Sequence, residues 1–181
     1  MNKNNIILYS ILIFVVFISC ESKSKNPKSE YNQKANQLIQ QLIEDENCDC
    51  ILEIPKENII EVDSIENPYF DYGKFFIEKL SLKNKNELDS INKLSNNFAL
   101  DLSLLKKRNI KIIKRDSLRI LLKDSNFYMN TCKDLKFLIK PVFNKEFNFA
   151  IVNYGSVGSC TQVGKHFFKF TNGKWNKMEY Y

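Results

Sequence analysis

The sequence predicts an α+β fold: a C-terminal four-stranded antiparallel meander, covered on one face by N-terminal helices, in one domain. Two patterns predict it. Apolar residues recur at helical spacing in the first half of the chain, and they alternate with polar residues between turn signals in the last third. With 181 residues, 44% of them apolar and 27% charged, the chain is long enough for one domain. This composition excludes a fully disordered chain and a polytopic membrane protein.

The first twenty residues have the pattern of a targeting segment. The apolar run of residues 6–18 has 13 members, whereas a membrane-spanning helix needs about 20, so we interpret the run as the core of a signal peptide. The ending Phe17-Ile18-Ser19-Cys20 resembles the lipobox of bacterial lipoproteins. The resemblance implies that residues 1–19 are removed and that Cys20 is acylated. The protein would then be a lipoprotein anchored in the cell envelope, at the outer membrane or the periplasmic face. The alternative is a short uncleaved anchor with an ordinary cysteine.

A polar stretch separates this segment from the first predicted helix. Residues 20–33 carry the lipidated cysteine and show no apolar period, so we expect a flexible tether. The folded domain would then comprise residues 34–181. A helix is predicted over residues 31–46 because apolar side chains form one stripe. The residues of this stripe are Ala35, Leu38, Ile39, Leu42 and Ile43.

The middle of the chain predicts shorter elements. Pro55 separates two β-branched runs that are typical of edge strands, and Asp116 has the position of a helix N-cap. In chain order we expect strands over 51–54 and 59–62, a strand or a helix over 73–82, a helix over 86–98, a strand over 110–113 and a helix over 117–122.

The C-terminal third predicts the meander. Asn172-Gly173 is a strong hairpin signal, because a type I′ turn needs positive φ at both central residues. Alternation along the third strand places His166, Phe168 and Phe170 on one face. Lys165, Phe167 and Lys169 lie on the other. The four strands are expected over 135–143, where Pro141 marks an edge or a bulge, 149–154, 165–171 and 174–180.

The same third carries a resemblance to known proteins. Its motifs are PVFNK from Pro141, AIV from Ala150, and GKW from Gly173. They are similar to the C-terminal module of uncharacterised envelope lipoproteins of Bacteroidota, in which FNK and A-V motifs precede a Cys/Gly loop and a strand ending in NGKW. The resemblance covers residues 135–178. It implies a β-meander and an envelope location, and it implies no activity.

Four cysteines remain besides Cys20, in a compartment that permits disulfides. A bridge between Cys48 and Cys50 would close a very small, strained ring. We therefore expect one or both of them to pair with Cys132 or Cys160. Such a bridge would join the N-terminal segment to the sheet.

Two other uses of these cysteines are possible. A metal site would combine Cys48-Asp49-Cys50 with His166 and a further cysteine, but this is not a standard zinc spacing and the chain has one histidine. Cys160 and His166 could form a nucleophile–base pair, for which no third member is recognisable. We find no catalytic motif and expect no catalytic residue, metal site or cofactor.

Charge is segregated along the chain. Residues 41–100 have a net charge of −7 and residues 101–181 of +10, so we expect the two segments to pair with each other. A basic patch would bind anionic lipid headgroups or an acidic protein. An envelope location removes nucleic acid as a partner. The patch consists of Lys106, Lys107, Arg108, Lys111, Lys114, Arg115 and Arg119.

These observations predict a lipid-anchored envelope protein with a protein-binding or structural role and no catalytic activity. Its partners would be the membrane, through the lipid anchor, and an envelope protein. The first alternative is a small-ligand carrier with a cavity between helices and sheet. The second is an enzyme that uses Cys160 and His166.

Overall fold

The computed structural model describes residues 26–46, 48–61, 69–124, 126, 132–157 and 164–179. The predicted signal peptide and Cys20 lie outside these residues. The helices are α1 (Pro27–Asp45), α2 (Tyr72–Lys79), α3 (Lys85–Ser95), α4 (Leu102–Lys107) and α5 (Arg115–Leu121). The strands are β1 (Cys50–Leu52), β2 (Lys111–Ile113), β3 (Leu135–Leu138), β4 (Val142–Phe143), β5 (Phe149–Ser156), β6 (Gly164–Thr171) and β7 (Lys174–Met178). Within this part of the chain, every helix is too short or too polar to span a bilayer.

The strands form one mixed sheet in the order β2-β1-β3-β5-β6-β7, with β4 also pairing with β5. The α+β class is confirmed, but the sheet is larger than the predicted four-stranded meander. β3, β5, β6 and β7 are antiparallel neighbours, whereas β1 and β2 extend the sheet in parallel. The expected strand over 135–143 is two strands, β3 and β4. They are interrupted before Pro141, which has no N–H to donate to a ladder.

Helices cover both faces of the sheet, whereas the sequence predicted one covered face. Val152, Phe168 and Trp175 belong to a core that they share with α1. Ile151 and Phe167, which alternate with these residues, belong to a second core with α2 and α3. The predicted alternation along β6 is therefore confirmed. β5 is buried on both faces because it is a central strand.

α1 begins seven residues before the predicted start of the domain. The Asn26 side chain accepts a hydrogen bond from Lys28 N at 3.0 Å, and Pro27 occupies the first helical turn. Tyr31 is fully buried, and its hydroxyl donates to Pro141 O at 2.8 Å. Burial raises the Tyr31 pKa far above its ordinary value. Residues 27–33 are thus helix and not the expected tether, since this cap and this anchor lie upstream of the apolar stripe.

Three other elements differ from the prediction or resolve it, and side-chain caps decide two of them. Asn58 Oδ1 accepts hydrogen bonds from the backbone of Ile60 and Glu61, so residues 59–61 are helical and not the expected strand. Asp71 caps α2 in the same manner, so the ambiguous 73–82 segment is helical as far as Lys79. α5 begins at Arg115, so the expected cap Asp116 lies inside its first turn instead.

The β6–β7 hairpin has the predicted turn and is held by α1. Asn172 and Gly173 have φ of 53° and 80°, as a type I′ turn requires. Gln37 of α1 donates to Gly173 O at 3.0 Å. Gln41 accepts from Trp175 N at 2.9 Å and donates to Trp175 O. These contacts join the C-terminal hairpin to the first helix.

Candidate functional site

A disulfide joins the two halves of the sheet. Cys50, the first residue of β1, is bonded to Cys132, which precedes β3, across 82 positions of sequence. This confirms the expectation that Cys48 or Cys50 pairs with a distant cysteine. Cys48 is a buried free thiol, and burial raises its pKa to about 11. It is therefore protonated at neutral pH and is a poor nucleophile. Cys160 lies outside the described residues.

A buried lysine organises a polar cluster beside the end of α1. Lys136 Nζ lies 3.0 Å from Glu46 Oε2 and 3.0 Å from Asp134 Oδ2. It also donates to Ser156 Oγ at 2.8 Å, and that hydroxyl donates to Asp134 Oδ1 at 3.2 Å. The Lys136 side chain is 8% exposed. We call these four residues the Lys136 cluster.

The Lys136 cluster has the arrangement of a Ser–Lys pair but the wrong protonation state for catalysis. Burial lowers the Lys136 pKa, but hydrogen bonds and charges from Asp134 and Glu46 outweigh it, and the net shift is upward. Lys136 is therefore held as an ammonium ion and cannot take a proton from Ser156. The cluster instead links the C-terminal end of α1 to β3 and β5.

His166 lies on the same face of the sheet and is half-buried. Its ring centroid is 4.4 Å from that of Tyr154, and Lys177 Nζ is 3.4 Å from the Tyr154 hydroxyl. Burial raises the Tyr154 pKa to about 12. Burial and the charge of Lys177 lower the His166 pKa. The histidine is thus a packed strand residue, and its proposed partner Cys160 is not among the described residues.

We predict that His166 titrates below its ordinary pKa of about 6.5, because burial and Lys177 disfavour the imidazolium. The unfolded chain then binds this proton more readily, so the free energy of unfolding should fall as pH decreases from about 6.5 through the folded pKa. As the chain has one histidine, its NMR signals report this pKa directly. Lys177→Met should raise the pKa, with Lys169→Met, on the opposite face of β6, as a control. A pKa at or above 6.5 would contradict this account.

The seven residues of the predicted basic patch lie around the β2 edge of the sheet, with α4 on the side of Ile51 and α5 on the side of Leu52. They lie on α4, β2, α5 and the short connections between them, and all seven are exposed. Arg108 pairs with Glu44 of α1 at 3.3 Å, and Arg115 Nε donates to Glu53 O at 2.8 Å. Residues 102–122 contain seven basic residues and one acidic residue. We call this stretch the basic surface.

The predicted pairing between the acidic and basic segments of the chain is confirmed. Glu44, Glu46 and Glu87 of the acidic segment each lie within 4.0 Å of a basic side chain from the later segment. This pairing uses Arg108 of the basic surface. Lys106, Lys107, Lys114 and Arg119 have no ion pair within the part of the chain that the structure describes.

A cleft lies between the β1–β2 end of the sheet and the connection from α3 to α4. Its volume is about 570 Å³, within the range of small-molecule sites. Its polar lining includes Lys56, Asn96, Glu53 and Lys140. Its apolar lining includes Ile51, Ile54, Phe98, Leu100, Leu102 and Ile112.

Lys140 is the buried charge of this cleft. The residue is 6% exposed, and its ammonium group donates to the carbonyl oxygens of Lys56 and Ser95, the latter at 3.3 Å. Burial lowers the pKa of Lys140, and the charges of Glu61 and Glu57 offset only part of this effect, so the net shift is downward. Neither carboxylate lies within ion-pair distance in the structure described.

Comparisons with protein-family models, with curated proteins and with solved structures find no match for this chain. The described residues contain no group of three or more histidine, cysteine or acidic side chains able to hold a metal ion. The function is therefore inferred from the residues and their geometry.

The sequence did not single out Lys136 or Lys140. Both interrupt the apolar stretch from Leu135 to Phe143, and Lys136 occupies a strand position between a buried and a half-buried residue. That interruption was the available signal, because a lysine in a central strand is almost never buried without partners. Only the fold identifies those partners: carboxylates for Lys136 and main-chain carbonyls for Lys140.

Proposed function

We propose that the protein is a lipid-anchored, non-catalytic binding protein of the cell envelope, and that the basic surface is its docking site for an acidic envelope protein. The lipid anchor rests on the resemblance of Phe17–Cys20 to a lipobox. The docking site rests on one observation: four basic side chains of this surface have no carboxylate partner within the described structure. A concentration of unpaired positive charge attracts acidic partners and increases association rates.

The edge of the sheet favours a protein segment as the occupant. β2 pairs with β1 on one side, and no strand lies on its other side in the part of the chain that is described. Ile112, in the middle of β2, is 42% exposed. An acidic segment could add to this edge by main-chain hydrogen bonds, with its carboxylates near the lysines. An anionic lipid surface would use the charge but not the strand edge.

We predict that Lys106, Lys107 and Lys114 are together required for docking. In the full lipoprotein, a photo-crosslinking amino acid at Ile112 should give one discrete protein adduct in cells. Changing the three lysines to glutamate should reduce that adduct at least about tenfold, because attraction becomes repulsion. The same substitutions at Lys74, Lys83 and Lys85 change the net charge equally, and they should leave the adduct intact.

Two outcomes would overturn the docking proposal. In one, the adduct persists when the three lysines of the basic surface are replaced. In the other, crosslinking yields lipid adducts only, and the purified protein binds phosphatidylglycerol vesicles through the same lysines. The second outcome would assign the basic surface to the membrane.

A second candidate function, that of a small-ligand carrier, is favoured by the cleft. The cleft lies between helices and sheet, where such a carrier would hold its cargo. Its mostly apolar wall and few polar groups are typical of small-molecule sites. The cleft and the basic surface share no charged residue, because Lys56 and Lys140 line the cleft and lie outside residues 102–122.

A further inference from the structure

We propose that the cleft binds a small amphiphilic molecule with a single anionic head group, and that Lys140 is the residue that binds the head group. This inference deepens the second candidate function. It uses no charged residue of the basic surface, although Leu102 and Ile112 of that stretch line the cleft.

The first step concerns the depth of the cleft. Leu102 and Ile112 are 48% and 42% exposed, so they form its mouth. Lys140 is almost completely buried, so it lies at the inner end. Its ammonium group lies between two segments that line the cleft, since it donates to the carbonyls of Lys56 and Ser95, and Asn96 follows Ser95 in the lining.

The second step concerns the charge at that inner end. An ammonium group has three donors, and two are used by neutral carbonyl oxygens. A buried charge is normally paired with an opposite charge, as Lys136 is in this same structure. Glu57 and Glu61, which act on Lys140 electrostatically, are exposed and lie beyond ion-pair distance. An anionic head group would supply the missing counter-charge and accept the third hydrogen bond.

The third step concerns the body of the ligand. From Lys140 to the mouth the wall includes Ile54, Phe98 and Leu100, which favour an aliphatic or aromatic body. The single ammonium group at the inner end favours a ligand with one anionic group. Unlike the guanidinium of an arginine, it does not favour a group that presents two oxygen atoms in one plane. Carboxylate and phosphate monoester head groups both satisfy this chemistry.

The test uses three water-soluble probes with the same apolar body: 4-phenylbutyrate, 4-phenylbutyl phosphate and neutral 4-phenylbutanol. Each is titrated calorimetrically into the full chain in lipid nanodiscs, with empty nanodiscs subtracted. At least one anionic probe should bind at least tenfold more tightly than the alcohol. The tighter of the two anions identifies the head group.

Matched variants locate the binding. Lys140→Met keeps the length of the side chain and removes its charge, so it should abolish the preference for the anion. Lys83→Met, at an exposed lysine that does not line the cleft, is the matched control and should retain the preference. Leu102→Asp, at the exposed mouth, should weaken the binding of all three probes. It is a second variant that leaves the buried lysine in place.

The outcomes separate this inference from the carrier function. If the alcohol binds as tightly as the anions, or if Lys140→Met keeps the preference, the head-group assignment is wrong and the carrier function stands. If no probe binds, both are wrong. Melting temperatures of the variants show whether each remains folded.

Discussion

Replacing Trp175 with alanine should lower the free energy of unfolding by about 3–5 kcal/mol, the range for deleting a buried large aromatic side chain. Trp175 is 1% exposed. Its ring lies 5.6 Å from Phe143 and 5.1 Å from Phe170, centroid to centroid. It is the residue through which the last strand packs on α1, so its loss leaves a cavity between the hairpin and the first helix.

The measurement is urea unfolding followed by circular dichroism, because Trp175 is the only tryptophan and its fluorescence is lost in the variant. Trp175→Phe is the matched comparison. It should cost much less, since the indole Nε1 has no hydrogen-bond partner in the described structure and its loss leaves no partner unsatisfied. Met178→Ala, an exposed position of the same strand, should change stability by less than about 1 kcal/mol. Equal effects at positions 175 and 178 would contradict the packing described here.

Removing the disulfide should have the second-largest effect. Cys50 and Cys132 are 82 positions apart, and a bridge that closes so long a loop strongly restricts the unfolded chain. Such bridges contribute about 2–4 kcal/mol. The double variant Cys50→Ala, Cys132→Ala should be destabilised by this amount, because β1 and β3 must then be held together by their backbone hydrogen bonds and by the apolar cluster around Leu52 and Leu135.

The wild-type protein should show the same loss of stability in the presence of a strong reductant, and the double variant should not respond to it. Cys48→Ala is the control, because it removes a nearby cysteine and keeps the disulfide. A wild-type unfolding curve that is unchanged by reductant would show that the bridge does not stabilise the fold. A stabilising disulfide would accord with the proposed envelope location, where disulfides persist.

Local sequence signals predicted the C-terminal part of the fold well. Asn172-Gly173 requires a particular turn, and the alternation along β6 assigns its side chains to two faces. Both are properties of neighbouring residues, so no distant contact is needed to predict them. The segment 135–143 is different: Pro141 indicated an edge or a bulge, and the structure resolves this as a break between β3 and β4, both of which pair with β5.

The errors occurred where a helix cap or a distant contact decides the local structure. Residues 27–33 lack an apolar period, so they were expected to be a tether. They are helical because Asn26 caps them and because Tyr31 reaches Pro141, which is 110 positions away. The segment 59–62 is rich in β-branched residues, but the Asn58 cap begins a helix at residues 59–61. β propensity is weak evidence when a cap competes with it.

The candidate sites show the same difference between what the local sequence indicates and what the fold decides. The cysteines and the basic patch are compositional features, and the sequence identified both. It left the pairing of Cys50 with Cys132 among several alternatives. Lys136 and Lys140 are two lysines among 24, and their interruption of an apolar stretch is the one local feature that distinguishes them from solvated ones.

The sequence by itself determined the α+β class, the turn of the last hairpin, the excess of basic residues over 102–122 and the resemblance to a lipoprotein signal. Each depends on residue type and spacing within a short stretch. Only the tertiary structure decided which cysteines pair, which lysines are buried and where the cleft lies. Those properties arise when segments far apart in sequence meet, because burial and a missing counter-charge depend on every neighbour that the fold provides.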